Sequence, residues 1–480
     1  VVNASDRRPV VLAALALLLA SLVFVLRPSG SEYLELLRQA EAHAENLERT
    51  AAAAAYNEAA GLRLDAPLPH LSLAQLYLDW GRTDEALDAV DEAERLGAEP
   101  IDVEWLRVAI HTAGAETSVT AKPAHWSAVV EHAQRLLILD PDSRETRHTL
   151  ARAYLGLREW GAALSIYREL LRSDPNDERA HERLGALLLG EDPNAVEHLH
   201  LAETELSQQL LTTFAEAGGT GDAAYASTQV ARVLIGGQEW PLAARQLQLA
   251  ISRSPDYADA HMYLGHVLDQ MGYPEDAGPH LLGATGVAPD SPVAHTLLGL
   301  HYDRLGEEAD ARAQYEAAYD LAPDNPAVCV EIGQTWAAEG RYVAAEIWLR
   351  EAISLKPDDP RLWEILARFY LDHNITSDDR AVRAAKKLLE LAPDDAHAHD
   401  LRGWAAFQVG DYETAQEHLQ GAIELDPEIA SAHYHLGLLK SAQGHPEEAQ
   451  EAFTRAIDLD ATGTFSALVQ RAREASGKDR

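Results

Sequence analysis

Histidine is the residue whose number and spacing invite a chemical reading of this chain. There are 21 histidines against a single cysteine, Cys329, and the stretches AHAHDLRG (396–403) and AHYHLGLLK (432–440) each set two histidines two residues apart. Imidazoles are common zinc ligands, and on a helix two of them chelate when they stand three or four residues apart on one face. His397/His399 and His433/His435 stand at i and i+2, roughly 200° apart around a helix axis, so they point away from each other. No two of the 21 stand at i, i+3 or i, i+4. Helical chelation is therefore not expected. One cysteine also excludes an internal disulfide, a CxxC zinc knuckle and a CxxCH haem attachment, and it reads as a small core residue. No G-x-S-x-G, Walker A or GxGxxG sequence stands in a strand–turn–helix context. The reading is no enzyme, no cofactor and no metal.

Composition narrows the class further. The chain has 480 residues, 47% of them apolar, which is ample for a buried core. Forty Lys and Arg face 77 Asp and Glu, a formal net charge of −37. That field repels nucleic acid and anionic lipid headgroups, and no basic stripe interrupts it. No nucleic-acid partner is expected, and long-range attraction favours basic partners.

Residues 1–30 differ in kind. VVNASDRRP is followed by VVLAALALLLASLVFVL, residues 10–26, which carry no charge. Seventeen helical residues span roughly 26 Å, just under the ~30 Å of a bilayer core. No A-x-A cleavage site follows the run, so it reads as an uncleaved signal anchor rather than a removed signal peptide. Arg7 and Arg8 precede it, which by the positive-inside tendency keeps residues 1–9 in the cytoplasm and exports the remainder. The expected location is the inner (cytoplasmic) membrane, single-pass, with the rest of the chain on the periplasmic side.

The elements that must position any site follow from a period. Pro255, Pro289, Pro323 and Pro357 are each 34 residues apart, Pro393 follows after 36 and Pro427 after 34. Ten residues after a proline comes a glycine (Gly265, Gly299, Gly333, Gly437), and seven later a second (Gly272, Gly306, Gly340, Gly444). Two alanines seven apart follow, as in Ala277 and Ala284 or Ala311 and Ala318. Apolar residues at three- and four-residue spacing on both sides of the second glycine make two amphipathic helices. The second glycine sits where the chain must reverse. The first glycine and the alanines lie where helices cross closely, and the proline blocks further winding. Each unit is a helical hairpin that buries its apolar face only by stacking on its neighbours.

These features resemble the tetratricopeptide repeat family. The fullest copies are 258–291, 292–325, 326–359, 396–429 and 430–463, with weaker ones upstream from residue 67. The resemblance implies an all-α, right-handed superhelical solenoid of about eleven hairpins, preceded by one transmembrane helix. The segments are then 1–9 basic N-terminus, 10–26 anchor, and 31–66 an alanine-rich connecting helix. An N-terminal repeat block spans 67–203, with an insertion near 112–123. A helix extension and glycine-rich turn fill 204–223, a C-terminal block spans 224–463, and a capping helix and tail occupy 464–480. By alignment His261, His295, His399 and His433 take the fourth position of the first helix, a large packing slot in the family.

The resemblance also implies protein binding through a concave groove lined by the first helices. It maps groove positions onto Arg152, Arg232, Met262, His266, Arg368, Trp404 and Tyr434. The Lys/Asn set by which one branch of the family clamps a C-terminal carboxylate is absent, with Met262, Thr296 and Val330 where lysine would stand. What remains is aromatic and arginine-bearing, suited to an extended peptide or helix. The expected function is a membrane-anchored scaffold for envelope proteins. The alternatives are the same solenoid facing the cytoplasm as an assembly adaptor, or a soluble secreted protein after signal cleavage.

Overall fold

The structure, a computed structural model, describes residues 29–118, 121–375, 379–460, 463–465 and 467–470. The expected anchor at 10–26 and residues 471–480 of the expected tail lie outside these residues. Among the described residues there is no strand, and no helix is long and apolar enough to cross a membrane. The helices pair as hairpins, and the chain divides into two compact units, residues 1–106 with 453–480, and residues 107–452.

The second unit is a helical solenoid whose local rules recur from hairpin to hairpin. The first helix begins with a cap. Ser291, Asn325, Asp359 and Asp395 each accept a backbone N–H from the first turn, and Pro292, Pro326 and Pro360 stand where a missing N–H costs nothing. The helix ends at a residue in the left-handed region, such as Gly306 at φ 73°, and Glu307 N–H then closes onto the carbonyl of Tyr302 at 2.9 Å. The same slot is left-handed where glycine is missing, at Arg158 (φ 64°), Gln238 (φ 58°) and Asn374 (φ 53°). Backbone geometry at this slot is thus set by the hairpin and not by the residue.

Hairpins close on the crossing glycine. A Cβ added at Gly299 lies 2.5 Å from Cε1 of Tyr315, one at Gly265 lies 2.5 Å from Cγ of Leu281, and one at Gly403 lies 2.7 Å from Cγ of Leu419. Ala311, Tyr315 and Ala318, and likewise Ala415, Leu419 and Ala422, are buried at those crossings. The segment after residue 203 is a separate helix, Glu205–Gly218, capped by Thr204 and set off by Glu203 in the left-handed region. Upstream, the helix Pro100–Thr117 runs through TAGAET, so the first half of the expected insertion near 112–123 continues a helix.

The first unit corrects one expectation. Residues 31–66 are not one connecting helix but two, Ser29–Glu45 and Arg49–Leu62, packed as a hairpin. Leu47 takes φ 57° and Glu48 N–H bonds the carbonyl of His43 at 2.9 Å, a glycine-type stop made without glycine. Folding back buries Tyr33, Leu37 and Ala40 together with Ala52, Tyr56 and Ala59, surface that a straight helix would leave wet. The hairpin Leu68–Asp79 and Thr83–Arg95 follows. Residues from the far end of the chain complete this unit. Thr50 donates both its backbone N–H (2.7 Å) and its hydroxyl to Oδ1 of Asp458, Arg49 reaches the Asp458 carbonyl at 2.7 Å, and the Trp80 indole donates to the Ile457 carbonyl at 3.2 Å.

Candidate functional site

The fourth-position histidines have a specific task. Nε2 of His181, His261, His295, His399 and His433 lies 2.8–3.0 Å from the carbonyl of the proline six residues earlier, and the Trp363 indole does the same to Pro357 at 2.8 Å. A carbonyl only accepts, so Nε2 carries the hydrogen and Nδ1 is bare. Across the hairpin a second imidazole meets that bare nitrogen. Nδ1 of His198 lies 2.8 Å from His181, that of His280 2.8 Å from His261, and that of His418 3.3 Å from His399. Each partner must therefore donate from its own Nδ1. Burial and the facing imidazole keep His198 and His280 below the ordinary histidine range, and burial with Arg402 and His399 does so for His418. Among the described residues no group of three or more histidine, cysteine, aspartate or glutamate side chains forms a metal cage. The pairing at i, i+17 or i, i+19 is not legible in the sequence, because it depends on the register between two helices and not on spacing along one.

Apart from Arg152, the groove residues expected from the sequence are not one cluster. Arg368, Trp404 and Tyr434 sit on the consecutive first helices Pro360–Asp372, Ala396–Gln408 and Ala430–Ala442. His435 links the last two: Trp404 stacks on its ring at 4.3 Å between centroids, Tyr434 lies at 5.6 Å, and Nδ1 of His435 lies 2.7 Å from Oδ1 of Asp400, while Arg368 pairs with Glu364 at 3.1 Å. Ser431 donates to the other oxygen of Asp400 at 2.7 Å. Burial opposes charge on Asp400, yet His435 and Ser431 hold its carboxyl below the usual range. On the same surface burial raises the Asp372 carboxyl, against the pull of Arg368, His373 and His435.

The other three lie elsewhere. Arg232 is exposed, with its guanidinium 6.0 Å from the Tyr263 ring and a hydrogen bond to Gln229 at 3.0 Å. His266 meets Trp240 edge-on at 5.9 Å, and burial keeps its imidazole below the usual range. Met262 is only 5% exposed and packs with Ala284 and Ala294, where one hairpin meets the next. Its side chain is spent on the core.

A feature that the sequence did not flag as a site is a cavity of about 440 Å³ in the second unit. Arg152, Arg179 and Arg183 line it, with Trp126, Tyr167 and Trp240. Arg152 lies over the Trp126 ring at 5.3 Å and pairs with Glu116. Arg183 takes Glu239 through two hydrogen bonds, one of 2.7 Å. Only Arg152 among these cations was reached from the groove alignment. Arg179 and Arg183 share the helix Glu178–Leu188, and neither is among the groove positions that the alignment names.

Models of the tetratricopeptide repeat match residues 144–187, 264–326, 304–369 and 401–464, where these hairpins stand. Those stretches are tetratricopeptide repeats. No curated protein matches the chain. Among solved structures it is similar to yeast Tom70, at 16% identity over 94% of this chain and 96% of that one, with a TM-score of 0.41. It is also similar to YrrB, described as a TPR protein with an unusual peptide-binding site, at 20% identity over 39% of this chain and 96% of that one, TM-score 0.33. Pseudomonas aeruginosa PilF is matched at 21% identity over 45% of this chain and 97% of that one, TM-score 0.37. Tetratricopeptide repeats are scaffolds that bind peptides and proteins through the repeat groove, and they are typically not enzymes.

Proposed function

We propose that this tetratricopeptide protein is a membrane-anchored scaffold that holds other envelope proteins against the C-terminal face of its second unit. The observation that carries the binding surface is the stacking of Trp404 on His435, with Arg368 and Tyr434 supplied by the neighbouring first helices. A half-buried aromatic shelf beside a guanidinium is the composition of a binding hot spot. Capture of a partner through this face is tested by the double change Trp404→Ala, Tyr434→Ala. It should weaken binding by about 2 kcal/mol while leaving helicity intact. Undiminished capture by that variant places the binding surface elsewhere.

The apolar run at 10–26, preceded by Arg7 and Arg8, supports the anchoring half of the reading and an array on the extracytoplasmic side. Protease added to spheroplasts should digest the repeats of the full chain. Protection until the membrane is lysed favours the cytoplasm-facing adaptor instead. A mature N-terminus shortly after residue 26 favours a secreted protein.

A further inference from the structure

The cavity of about 440 Å³ departs from the charge of the chain that contains it. Four cations line it, Lys122, Arg152, Arg179 and Arg183, against two carboxylates, Glu116 and Glu239, in a chain of net charge −37. Arg179 and Arg183 stand one turn apart on Glu178–Leu188, and Arg152 comes from the preceding first helix, Arg144–Gly156. Burial, with Arg179 and Arg183 nearby, holds the Arg152 guanidinium below its ordinary range.

The two carboxylates are held differently. Glu239 grips Arg183 through both oxygens, and the two side chains are only 27% and 22% exposed. Glu116 meets Arg152 through one oxygen from the last turn of Pro100–Thr117 and is 53% exposed. Glu239 is a fixed part of the wall, whereas Glu116 is exchangeable. Lys122 is committed to the carbonyl of Gln270 at 2.8 Å. Arg152 and Arg179 are thus the cations placed to receive a ligand, since among the described residues Arg179 pairs with Glu145, a largely exposed carboxylate, at 3.1 Å. Trp126 and Trp240 supply apolar wall beside them.

We propose that this cavity binds an internal acidic segment of a partner protein, whose side-chain carboxylates take Arg152 and Arg179 as Glu116 is displaced, while its apolar side chains rest on Trp126 and Trp240. Two separate cations call for more than one carboxylate, which a segment of alternating acidic and apolar residues provides and a lone chain terminus does not. This site lies apart from the Trp404 face, and either can fail without the other.

The test is fluorescence anisotropy of a labelled octapeptide of alternating Glu and Leu, acetylated and amidated, titrated with the full chain at low salt. Saturable binding that weakens with added salt is expected. Arg152→Gln with Arg179→Gln should weaken it at least about 10-fold, the equivalent of roughly 1.4 kcal/mol. Glu116→Gln removes the internal competitor and should tighten it several-fold, a gain that a merely structural role for Glu116 does not produce. Trp404→Ala should leave it unchanged. Circular dichroism confirms that each variant is folded. The proposal is overturned if the peptide does not bind, or if its Lys-for-Glu counterpart binds as well. Equal binding by an uncharged peptide with a free C-terminal carboxylate overturns it too, as does parental affinity in the double arginine variant.

Discussion

Nδ1 of His261 lies 2.8 Å from Nδ1 of His280, while Nε2 of His261 is given to the Pro255 carbonyl. Only one proton fits between the two facing nitrogens, and it sits on His280. A second hydrogen between these two nitrogens would set two N–H groups against each other, so the contact admits one hydrogen only.

That arrangement predicts acid lability. Burial and the facing His261 keep His280 below the ordinary range, with Asp276 opposing and Arg158 adding to the shift. Burial with His125 and His132 pushes His111 down to about 4. Unfolded histidines titrate near 6.5, at roughly the free-imidazole value. Between that value and the lowered folded ones, the unfolded chain binds more protons, so stability rises with pH through this window. It is complete above about 6.5 and is lost as pH falls toward 4. Urea midpoints should fall between pH 7 and pH 5. His280→Gln, which can donate to His261 as an amide and does not titrate, should flatten that fall. An unchanged slope in the variant removes this pair from the explanation.

The helix crossing at Gly299 predicts a steric penalty. Its missing Cβ would stand 2.5 Å from Tyr315, which is fully buried and donates its hydroxyl to Asp303 at 2.5 Å. Gly299→Val should cost about 2–3 kcal/mol, the scale of overpacking. Gly283 lies inside the helix Pro274–Val287 with nothing near its missing Cβ, so Gly283→Ala should instead stabilise by about 0.5–1 kcal/mol. Chemical denaturation of the two variants reads both signs.

The left-handed slot predicts a gain from glycine. Gln238 is held at φ 58° with Glu239 N–H on the carbonyl of Leu234 at 2.8 Å. The side chain there costs about 1 kcal/mol that glycine avoids. Gln238→Gly should raise stability by about that amount in urea unfolding. A loss would mean that the side chain is anchored in the cavity wall.

Asp400 predicts a loss of coupling between consecutive repeats. It accepts from both His435 and Ser431, and it is only 2% exposed. Asp400→Ala strands the buried His435 donor and the half-buried Ser431 hydroxyl and should cost about 3 kcal/mol, at 1–3 kcal/mol for each. Asp400→Asn, which still accepts, should cost less. Thermal melts of the two variants should separate them in that order.

How much of this was legible in the sequence follows from what each feature depends on. The crossing at Gly299 and the turn at Gly306 were legible because small and conformationally free residues recur with the period. The break at Leu47 was not, since a leucine occupies a left-handed stop and the alanine-rich composition of 31–66 continues on both sides of it. The fourth-position histidines looked like bulk. Their contact with a carbonyl six residues back was available in the spacing, because histidine or tryptophan follows the proline by six in unit after unit. The His261–His280 pairing and the cavity around Arg152 were out of reach, because both depend on how separate helices slide against each other. Met262 shows the same limit from the other side, as a groove position by alignment that the next hairpin covers.

The bonds from Thr50 and Trp80 to the helix ending at Leu459 have a consequence for synthesis. Chains emerge N-terminus first at about 5–20 residues per second. The opening hairpins therefore wait on the order of half a minute, while the intervening 107–452 is made, before their last structural partner exists. Throughout that interval the surface destined for Asp458 is exposed. The ribosome-bound chain should thus be most open to chaperones at its oldest end, the reverse of the order in which most polypeptides become protected.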